Sequence, residues 1–210
     1  MFNVEVSVTT SVVEAKAPKG TVEKAVVQPI DIGTFEITLV GDSPLIVHAW
    51  AAKTKIEMLE SMQRKTKVKG SRPVRNPEQE YKDSLYPLPG GGYGFPSIGV
   101  KGAAVSACRS VAGVAMTEAR GTFHINGEFV RIKGEPTMRE DMVKVGMGSA
   151  DLRYRAEFKE WSMTFQVRYN RSMLTAEQII NLFNIAGFGN GIGEWRPQRN
   201  GAFGMFHVQV

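Results

Sequence analysis

The chain contains 210 residues, of which 42% are hydrophobic and 22% are charged, and its net charge is +5. This composition excludes a disordered or collagen-like chain, and the length suits one large domain or two small ones. The single cysteine, Cys108, excludes a disulfide within the chain. No segment is long and apolar enough to span a membrane, and the N-terminus lacks a signal-peptide pattern, so we expect a cytoplasmic protein.

The periodicity of apolar residues predicts six core elements along the chain. The clearest strand is at 161–170, where apolar and polar residues alternate without interruption. The clearest helix is at 175–186, because Thr175 and Gln178 fit a capping box and Gly187 is placed to end the helix. In chain order we predict strand 34–41, helix 97–112, strand 128–133, strand 161–170, helix 175–186 and strand 202–210.

This order is the split βαββαβ arrangement, so we predict an α+β protein with a ferredoxin-like (RRM-like) core and two insertions. Residues 1–33 are interpreted as an N-terminal arm or edge strand, and residues 34–210 as the ferredoxin-like domain. The first insertion, 49–92, starts with a helical pattern at 49–65 and contains a basic loop. The second insertion, 134–158, has charges that nearly cancel, and an ordinary long hairpin is one interpretation of it.

The positive charge of the chain is concentrated in one short segment. Residues 64–75 contain six basic residues and no acidic one, namely Arg64, Lys65, Lys67, Lys69, Arg72 and Arg75. Such a run is typical of a surface that contacts phosphate groups. Taken alone, it is equally consistent with a solvated loop.

Glycine is over-represented and unevenly placed. The chain has 22 glycines in 210 residues, against roughly 7% in an average protein. Twelve of them fall in two windows, which we call the first and the second glycine window: Gly90, Gly91, Gly92, Gly94, Gly99 and Gly102, then Gly187, Gly189, Gly191, Gly193, Gly201 and Gly204. Glycine is used where φ is positive or where another backbone or a ligand comes close. The windows therefore predict two loops shaped for contact.

Three motifs on the predicted core resemble the RAMP superfamily, the repeat-associated proteins of CRISPR antiviral defence systems. Residues 39–45 (LVGDSPL) resemble the first strand and its exit in that family. Residues 94–103 (GFPSIGVKGA) resemble the start of the first core helix in the backbone subunits that coat guide RNA. Residues 187–204 stand between the last helix and the last strand, like the C-terminal glycine-rich loop of the family.

The second motif agrees with the family at some positions and departs from it at others. Pro96, Lys101 and Gly102 hold the family's positions. Ile98 and Gly99 stand where backbone subunits typically have two serines, so the resemblance implies no serine hydroxyl contact at these two positions.

The resemblance implies a non-catalytic subunit that binds single-stranded nucleic acid, with RNA favoured over DNA. It also implies a ribonucleoprotein in which the chain forms an oligomer with its own copies or assembles with other CRISPR subunits. In that family a β-hairpin thumb reaches the neighbouring subunit, and the resemblance places the thumb at 134–158. No cofactor, metal or membrane is implied.

The residue types at both windows suit nucleic-acid binding. At the first, helix N-terminal amides and a lysine suit an anion, and at the second, a tryptophan suits base stacking while arginines suit phosphates. The candidate side chains are Ser97, Lys101, Trp195, Arg196 and Arg199, and the candidate backbone contacts are Gly99, Gly102, Gly189, Gly191 and Gly193. A packed tryptophan and an ordinary glycine turn form the simpler interpretation of the second window.

Two residues leave an enzyme as an alternative. RAMP endoribonucleases place a general base after the first strand, where this chain has His48, and histidine is suited to activate a ribose 2′-hydroxyl. Packing beside its chain neighbours is the simpler interpretation of His48. Asp42 matches an acidic position of RNA-cutting backbone subunits, although Asp-Ser-Pro is also a common turn.

A second alternative is a standalone relative, for instance a viral one, that mimics a backbone subunit and interferes with a CRISPR complex. The sequence contains no zinc-ligand cluster, no nucleotide-binding fingerprint and no nucleophile elbow.

Overall fold

The computed structural model describes residues 29–49, 58–59, 62, 75–145 and 149–209. Residues 1–28 of the predicted N-terminal arm lie outside this part of the chain, as do residues 64–74 of the basic run. Of the helical pattern predicted at 49–65, the residues Ala49, Met58, Leu59 and Met62 are described; the last three are helical, and Ala49 is not.

Two antiparallel sheets form the framework. In chain order, the strands are β1 (Ile32–Gly41), β2 (Leu45–Val47), β3 (Tyr93–Pro96), β4 (Phe123–Ile125), β5 (Phe129–Lys133), β6 (Pro136–Val145), β7 (Ser149–Phe158), β8 (Ser162–Asn170) and β9 (Phe206–Val208). The larger sheet has the order β3-β5-β8-β1-β9, and β4 also pairs with β8. The smaller sheet has the order β2-β7-β6, in which β6 and β7 form a long hairpin.

Besides the helical residues Met58, Leu59 and Met62, four α-helices have bounds within the described residues. They are α1 (Pro77–Asp83), α2 (Ser97–Ala107), α3 (Met116–Thr122) and α4 (Ala176–Gly189). The capping box predicted for the last helix is confirmed, because the Thr175 hydroxyl accepts from the amide of Gln178 and the Gln178 side chain accepts from the amide of Thr175. Helix α2 begins at Ser97 directly after β3, and a single 3₁₀ turn, Cys108–Ser110, follows it.

The core lies between the larger sheet and helices α2 and α4. Alternate residues of β1 and β8 point to the helices, and Leu39 and Met163 are fully buried among them. The ring of Phe183 on α4 packs edge-on against Phe123 and Phe165. Truncation of such a buried phenylalanine to alanine costs about 3–5 kcal/mol, so this aromatic cluster holds α4 on the sheet.

The predicted α+β class is confirmed, and several predicted boundaries change. The helix that begins at Ser97 ends at Ala107 rather than at 112, and the last strand is limited to Phe206–Val208. The prediction that Gly187 ends the last helix is wrong. Helix α4 continues to Gly189, and Gly187 lies within it against the backbone carbonyl of Phe206, so this glycine serves close packing rather than capping.

The hairpin of β6 and β7 has two chemically different faces. Met138 and Met142 on β6 share one face with Leu152 on β7, and all three are exposed. On the other face, the guanidinium of Arg139 lies 4.6 Å from the ring centroid of Phe203 and pairs with Glu157 at 2.7 Å. The charged face therefore packs on the second glycine window.

Cys108 is buried on the packed side of the chain next to α2, and burial raises the pKa of its thiol. A buried free cysteine of this kind behaves as a small hydrophobic side chain in the core. Within the described residues, no helix is long and apolar enough to cross a membrane.

The close approach at Gly187 leads to a stability prediction. We expect Gly187→Ala to lower the free energy of unfolding by about 3 kcal/mol, since its Cβ would overlap the carbonyl oxygen of Phe206. Gly189→Ala, two residues later in the same helix, has no atom within 4 Å of its new Cβ. It should raise the free energy of unfolding by up to about 1 kcal/mol. Urea unfolding of both variants tests this, and equal stabilities would contradict it.

Candidate functional site

The two glycine windows, which are far apart in sequence, meet at one cavity. Its volume is about 490 Å³, and its wall includes Gly99 and Gly102 of the first window and Gly191 and Gly193 of the second. We call it the glycine cavity. Its polar lining consists of His48, Tyr86, Ser106, Glu194, Arg196 and Gln198.

Helix α2 supplies one wall of the glycine cavity, so Gly99 and Gly102 lie in a helix and not in the loop predicted for the first glycine window. Gly99, Gly102, Ala103 and Ser106 follow the i, i+3, i+4, i+7 spacing of one helix face, so small residues line the cavity along two turns. A Cβ at Gly102 would have no atom within 4 Å, whereas a Cβ at Gly99 would lie 2.9 Å from the ring of Phe95. The helix backbone is therefore open to a ligand at Gly102.

The second glycine window is an ordered loop tied to the segment after β1. The amide of Glu194 donates to the carbonyl of Ile46 at 3.0 Å, and the amide of Gly204 donates to the carbonyl of Pro44 at 2.8 Å. Gly193 and Gly204 have positive φ values of 78° and 66°. A side chain at Gly193 would meet the carbonyl of Ile46, so these glycines permit close backbone contact rather than flexibility.

His48 and Glu194 form the charged rim of the glycine cavity. His48 Nδ1 lies 2.8 Å from Glu194 Oε1, and the other Glu194 oxygen pairs with the nearly buried Arg155. Partial burial alone would raise the pKa of the Glu194 carboxyl. The hydrogen bond from His48 and the positive charge of Arg155 outweigh burial and hold that pKa below its usual range. His48 therefore has a specific carboxylate partner, which its sequence neighbours did not indicate.

Trp195 follows this pair and has an unusual backbone. Its φ is 53°, in the left-handed region, and the residue is 45% exposed. A bulky residue in this region costs about 1–3 kcal/mol. The carbonyl of Trp195 accepts from the amide of Phe203 at 3.1 Å, and Gly201 lies directly against that carbonyl. The loop contacts hold the indole at the surface, contrary to the simpler interpretation of a packed tryptophan.

Arg196 and Arg199 lie on the same loop with different surroundings. Arg196 Nη1 donates to the carbonyl of Gly193 at 2.9 Å, and its Nε donates to Gln198 at 3.3 Å. Arg199 is exposed in a short 3₁₀ turn, Pro197–Arg199. Arg196 lines the glycine cavity, and Arg199 lies beyond it.

Ser97 and Lys101 lie away from the glycine cavity, against a separate cavity of about 550 Å³ on α2. The Ser97 side chain is buried, and its hydroxyl has no partner among the described residues. Lys101 Nζ donates to the carbonyl of Arg120 at 2.7 Å and lies 3.2 Å from His124 Nδ1. Burial lowers the pKa of Lys101. The lysine is already engaged within the protein.

Arg75 is the one described member of the basic run. Its Nε donates to Glu80 at 2.8 Å, and it also pairs with Asp151 near the start of β7. Its charge is thus shared with two carboxylates of the same chain. The other members, Arg64, Lys65, Lys67, Lys69 and Arg72, lie outside the described residues, and their role stays a prediction.

The remaining candidates are dispersed. Asp42 lies at the end of β1, where one carboxylate oxygen is 2.6 Å from His207 Nδ1 on β9. Gly189 ends helix α4 with open space around it and does not line the glycine cavity. Among the described residues, no group of three or more histidine, cysteine, aspartate or glutamate side chains is placed to hold a metal ion.

Several residues of the site were not predicted from the sequence. Tyr86 donates its hydroxyl to the carbonyl of His48 at 3.2 Å, and Glu194 links His48 to Arg155. Glu194 lies inside the second glycine window, so its position in the sequence could have marked it as a candidate site residue. Nothing in the sequence pairs Tyr86 with His48, because the two are 38 residues apart.

No protein-family model matches the chain, and no curated protein sequence matches it. Among solved structures, the chain is similar to part of the type III-B Cmr-beta complex bound to cognate target RNA, seen by cryo-EM. That match has 11% identity and a TM-score of 0.47, and it covers 85% of this chain and 59% of the other.

The chain is also similar to Cas6 of Thermus thermophilus, with 13% identity and a TM-score of 0.29 over 83% of this chain and 53% of the other. It thus spans little more than half of the length of either of these structures. Both TM-scores are too low to establish a common fold.

The His48–Glu194–Arg155 cluster leads to a pH-dependent prediction. The pKa of Glu194 is depressed in the folded state, so its contribution to stability is present above its unfolded value of about 4.3 and is lost as the pH falls through the folded value. We expect Glu194→Gln to lower the free energy of unfolding at pH 7 by about 2 kcal/mol, less than for a fully buried pair, because Glu194 is 30% exposed.

The difference between wild type and Glu194→Gln should shrink steadily when urea unfolding is repeated below about pH 4. Glu160→Gln removes an exposed carboxylate outside this cluster and is the control. A difference that stays constant with pH would contradict the assignment.

Proposed function

We propose that the chain binds single-stranded nucleic acid, RNA in the first place, as a non-catalytic subunit. The observation that carries this proposal is the meeting of the two glycine windows at one cavity that has an arginine in its wall. Open glycine backbone lets a ligand approach closely, and a guanidinium suits a phosphate. The glycine cavity has both.

The shape and the lining of the glycine cavity favour a single strand. Proteins that read duplex DNA place a helix or a β-ribbon in the major groove, whereas a cavity of about 490 Å³ receives only a small part of a strand. Tyr86, Ser106 and Gln198 add hydroxyl and amide groups to the wall. Such groups suit the 2′-hydroxyl and the base edges of splayed RNA.

We also propose that the core is a ferredoxin-like unit. The chain order β1, α2, β5, β8, α4, β9 corresponds to the sheet order β9-β1-β8-β5 within the larger sheet, with antiparallel neighbours. This order supports the split βαββαβ arrangement. The unit places both glycine windows at the ends of its two helices, where they can meet.

A charge placed in the glycine cavity tests the binding proposal. We expect Gly102→Glu to weaken the binding of labelled single-stranded RNA at least tenfold, because a carboxylate would project into the cavity and repel phosphate. The fold should be retained, since the position is open. Gly121→Glu on α3 makes the same change at another open position and is the control. Equal affinities of the two variants, measured by fluorescence anisotropy, would reject the glycine cavity as the binding site.

The basic run supports a second test. Replacing Arg64, Lys65, Lys67 and Lys69 by alanine should weaken binding and flatten its salt dependence, since each phosphate contact of a single strand adds about 0.7 to the slope of log K against log salt. Anisotropy titrations at several salt concentrations measure that slope. An unchanged slope would remove the run from the binding surface.

The resemblance of the glycine motifs to RAMP backbone subunits leads us to propose a guide RNA as the strand and several copies of the chain, or other CRISPR subunits, as the partners. The exposed apolar face of the hairpin, with Met142 76% exposed, supports its assignment as the thumb that contacts a neighbour. Light scattering with and without nuclease treatment tests this. An assembly that persists after nuclease treatment would indicate protein contacts independent of RNA.

A metal-independent endoribonuclease is the second candidate, favoured by the pairing of His48 with Glu194 on the rim of the glycine cavity. A carboxylate that orients a histidine is a common arrangement for a general base. Incubation with labelled RNA separates the two candidates. Cleavage by the wild type that is lost in His48→Ala, with binding retained, would establish the enzyme.

A further inference from the structure

A second cavity adjoins the glycine cavity. Its volume is about 370 Å³, and it lies between the hairpin of β6 and β7 and the second glycine window. Glu194 and Arg196 line both cavities, so the two are neighbours. Four arginines from two separate elements surround it together with an aromatic ring, and we call it the arginine cavity: Arg153, Arg155, Arg196, Arg199 and Trp195.

The positive charge of the arginine cavity is only partly neutralised by the protein. Glu194 is engaged by Arg155 and His48. Arg153 has a long, solvent-exposed contact of 3.5 Å with Asp151. Within the described part of the chain, the Arg199 side chain makes no hydrogen bond or ion pair. Arg153 and Arg199 are therefore available to an anion. A group of positive charges that lie close together attracts an anion more strongly than a single charge does.

Trp195 contributes an aromatic face to the same cavity. Its indole is nearly half exposed, and its backbone is fixed by the contacts of its carbonyl with Phe203 and Gly201. The ring is thus held at the surface without being buried in the core. Aromatic rings held in this way stack on unpaired bases, with little dependence on sequence.

We propose that the arginine cavity binds one unpaired nucleotide of the strand, with its base stacked on Trp195 and its phosphate on Arg153 and Arg199. This inference rests on the proposed binding of single-stranded nucleic acid and adds a second contact point beside the glycine cavity. The combination of a guanidinium cluster and an exposed indole fits a nucleotide better than an acidic peptide, because a peptide carboxylate uses the arginines and leaves the ring without a stacking partner.

The arginine cavity also gives the hairpin of β6 and β7 a role in binding an anion, which its net charge does not indicate. Its acidic and basic residues nearly cancel in number, yet Arg153 and Arg155 share one face of β7, the face that meets the second glycine window. The hairpin would therefore contribute a phosphate contact about midway along β7, separate from the exposed apolar side chains that we propose contact a neighbouring subunit.

Trp195→Gly tests the stacking contact in the full-length chain. Glycine accepts the positive φ at this position, so the variant should fold. We expect the affinity for single-stranded RNA to fall about tenfold and the quenching of tryptophan fluorescence by RNA to decrease strongly. An RNA of the same length without bases should bind the wild type and the variant equally, because it has nothing to stack.

Arg199→Ala tests the phosphate contact and does not depend on the stacking variant. It should reduce the slope of log K against log salt by about 0.7, whereas Arg109→Ala, an exposed arginine next to α2, should leave the slope unchanged. Unaltered RNA affinity and quenching in Trp195→Gly, or an unaltered slope in Arg199→Ala, would overturn this inference. If Gly102→Glu still impairs binding in that case, the proposed function stands without the arginine cavity.

Absence of RNA binding by the wild type would reject both the proposed function and this inference. If a polyglutamate peptide competes with RNA and quenches Trp195 as strongly as RNA does, the arginine cavity accepts acidic protein segments, and the inference of a nucleotide is likewise overturned.

Discussion

The backbone contact between the second glycine window and the segment after β1 holds the candidate site together. Two hydrogen bonds, from Glu194 to Ile46 and from Gly204 to Pro44, fix the loop on β2 and on the residue before it. They require glycine at 193 and 204, because a side chain there would overlap a carbonyl group. This contact sets His48 beside Glu194 and presents Trp195 to the surface, so both cavities depend on it.

The sequence predicted the elements better than their meeting points. The alternation of apolar and polar residues at 161–170 and the capping box at Thr175 involve residues that are close in sequence. Such short-range patterns are enough to predict a strand or a helix end. The predicted role of Gly187 failed because it depends on Phe206, which belongs to a strand beyond the glycine window. A C-cap glycine and a packing glycine look the same in one sequence, since both lack a Cβ.

The candidate site was predicted in part for the same reason. Both glycine windows were found from composition, but only the fold brings them to one cavity and sends Ser97 and Lys101 to another. The net charge of 134–158 is close to zero and gave no sign of a basic surface at Arg153 and Arg155. A strand places alternate residues on opposite faces, and the net charge of a segment does not show on which face each charge lies. The pairing of His48 with Glu194 spans 146 residues, and no local pattern reports it.

The fixed conformation of the second glycine window has a consequence for the thermodynamics of ligand binding. A flexible loop loses conformational freedom when a ligand immobilises it, and that loss opposes binding. Here the amides of Ile192, Glu194 and Gly204 are already hydrogen-bonded in the free chain. A partner would therefore meet a surface close to its final shape. The conformational entropy lost on binding would come mainly from the partner. The backbone amides of the loop would already exchange their hydrogens slowly in the protein without a ligand.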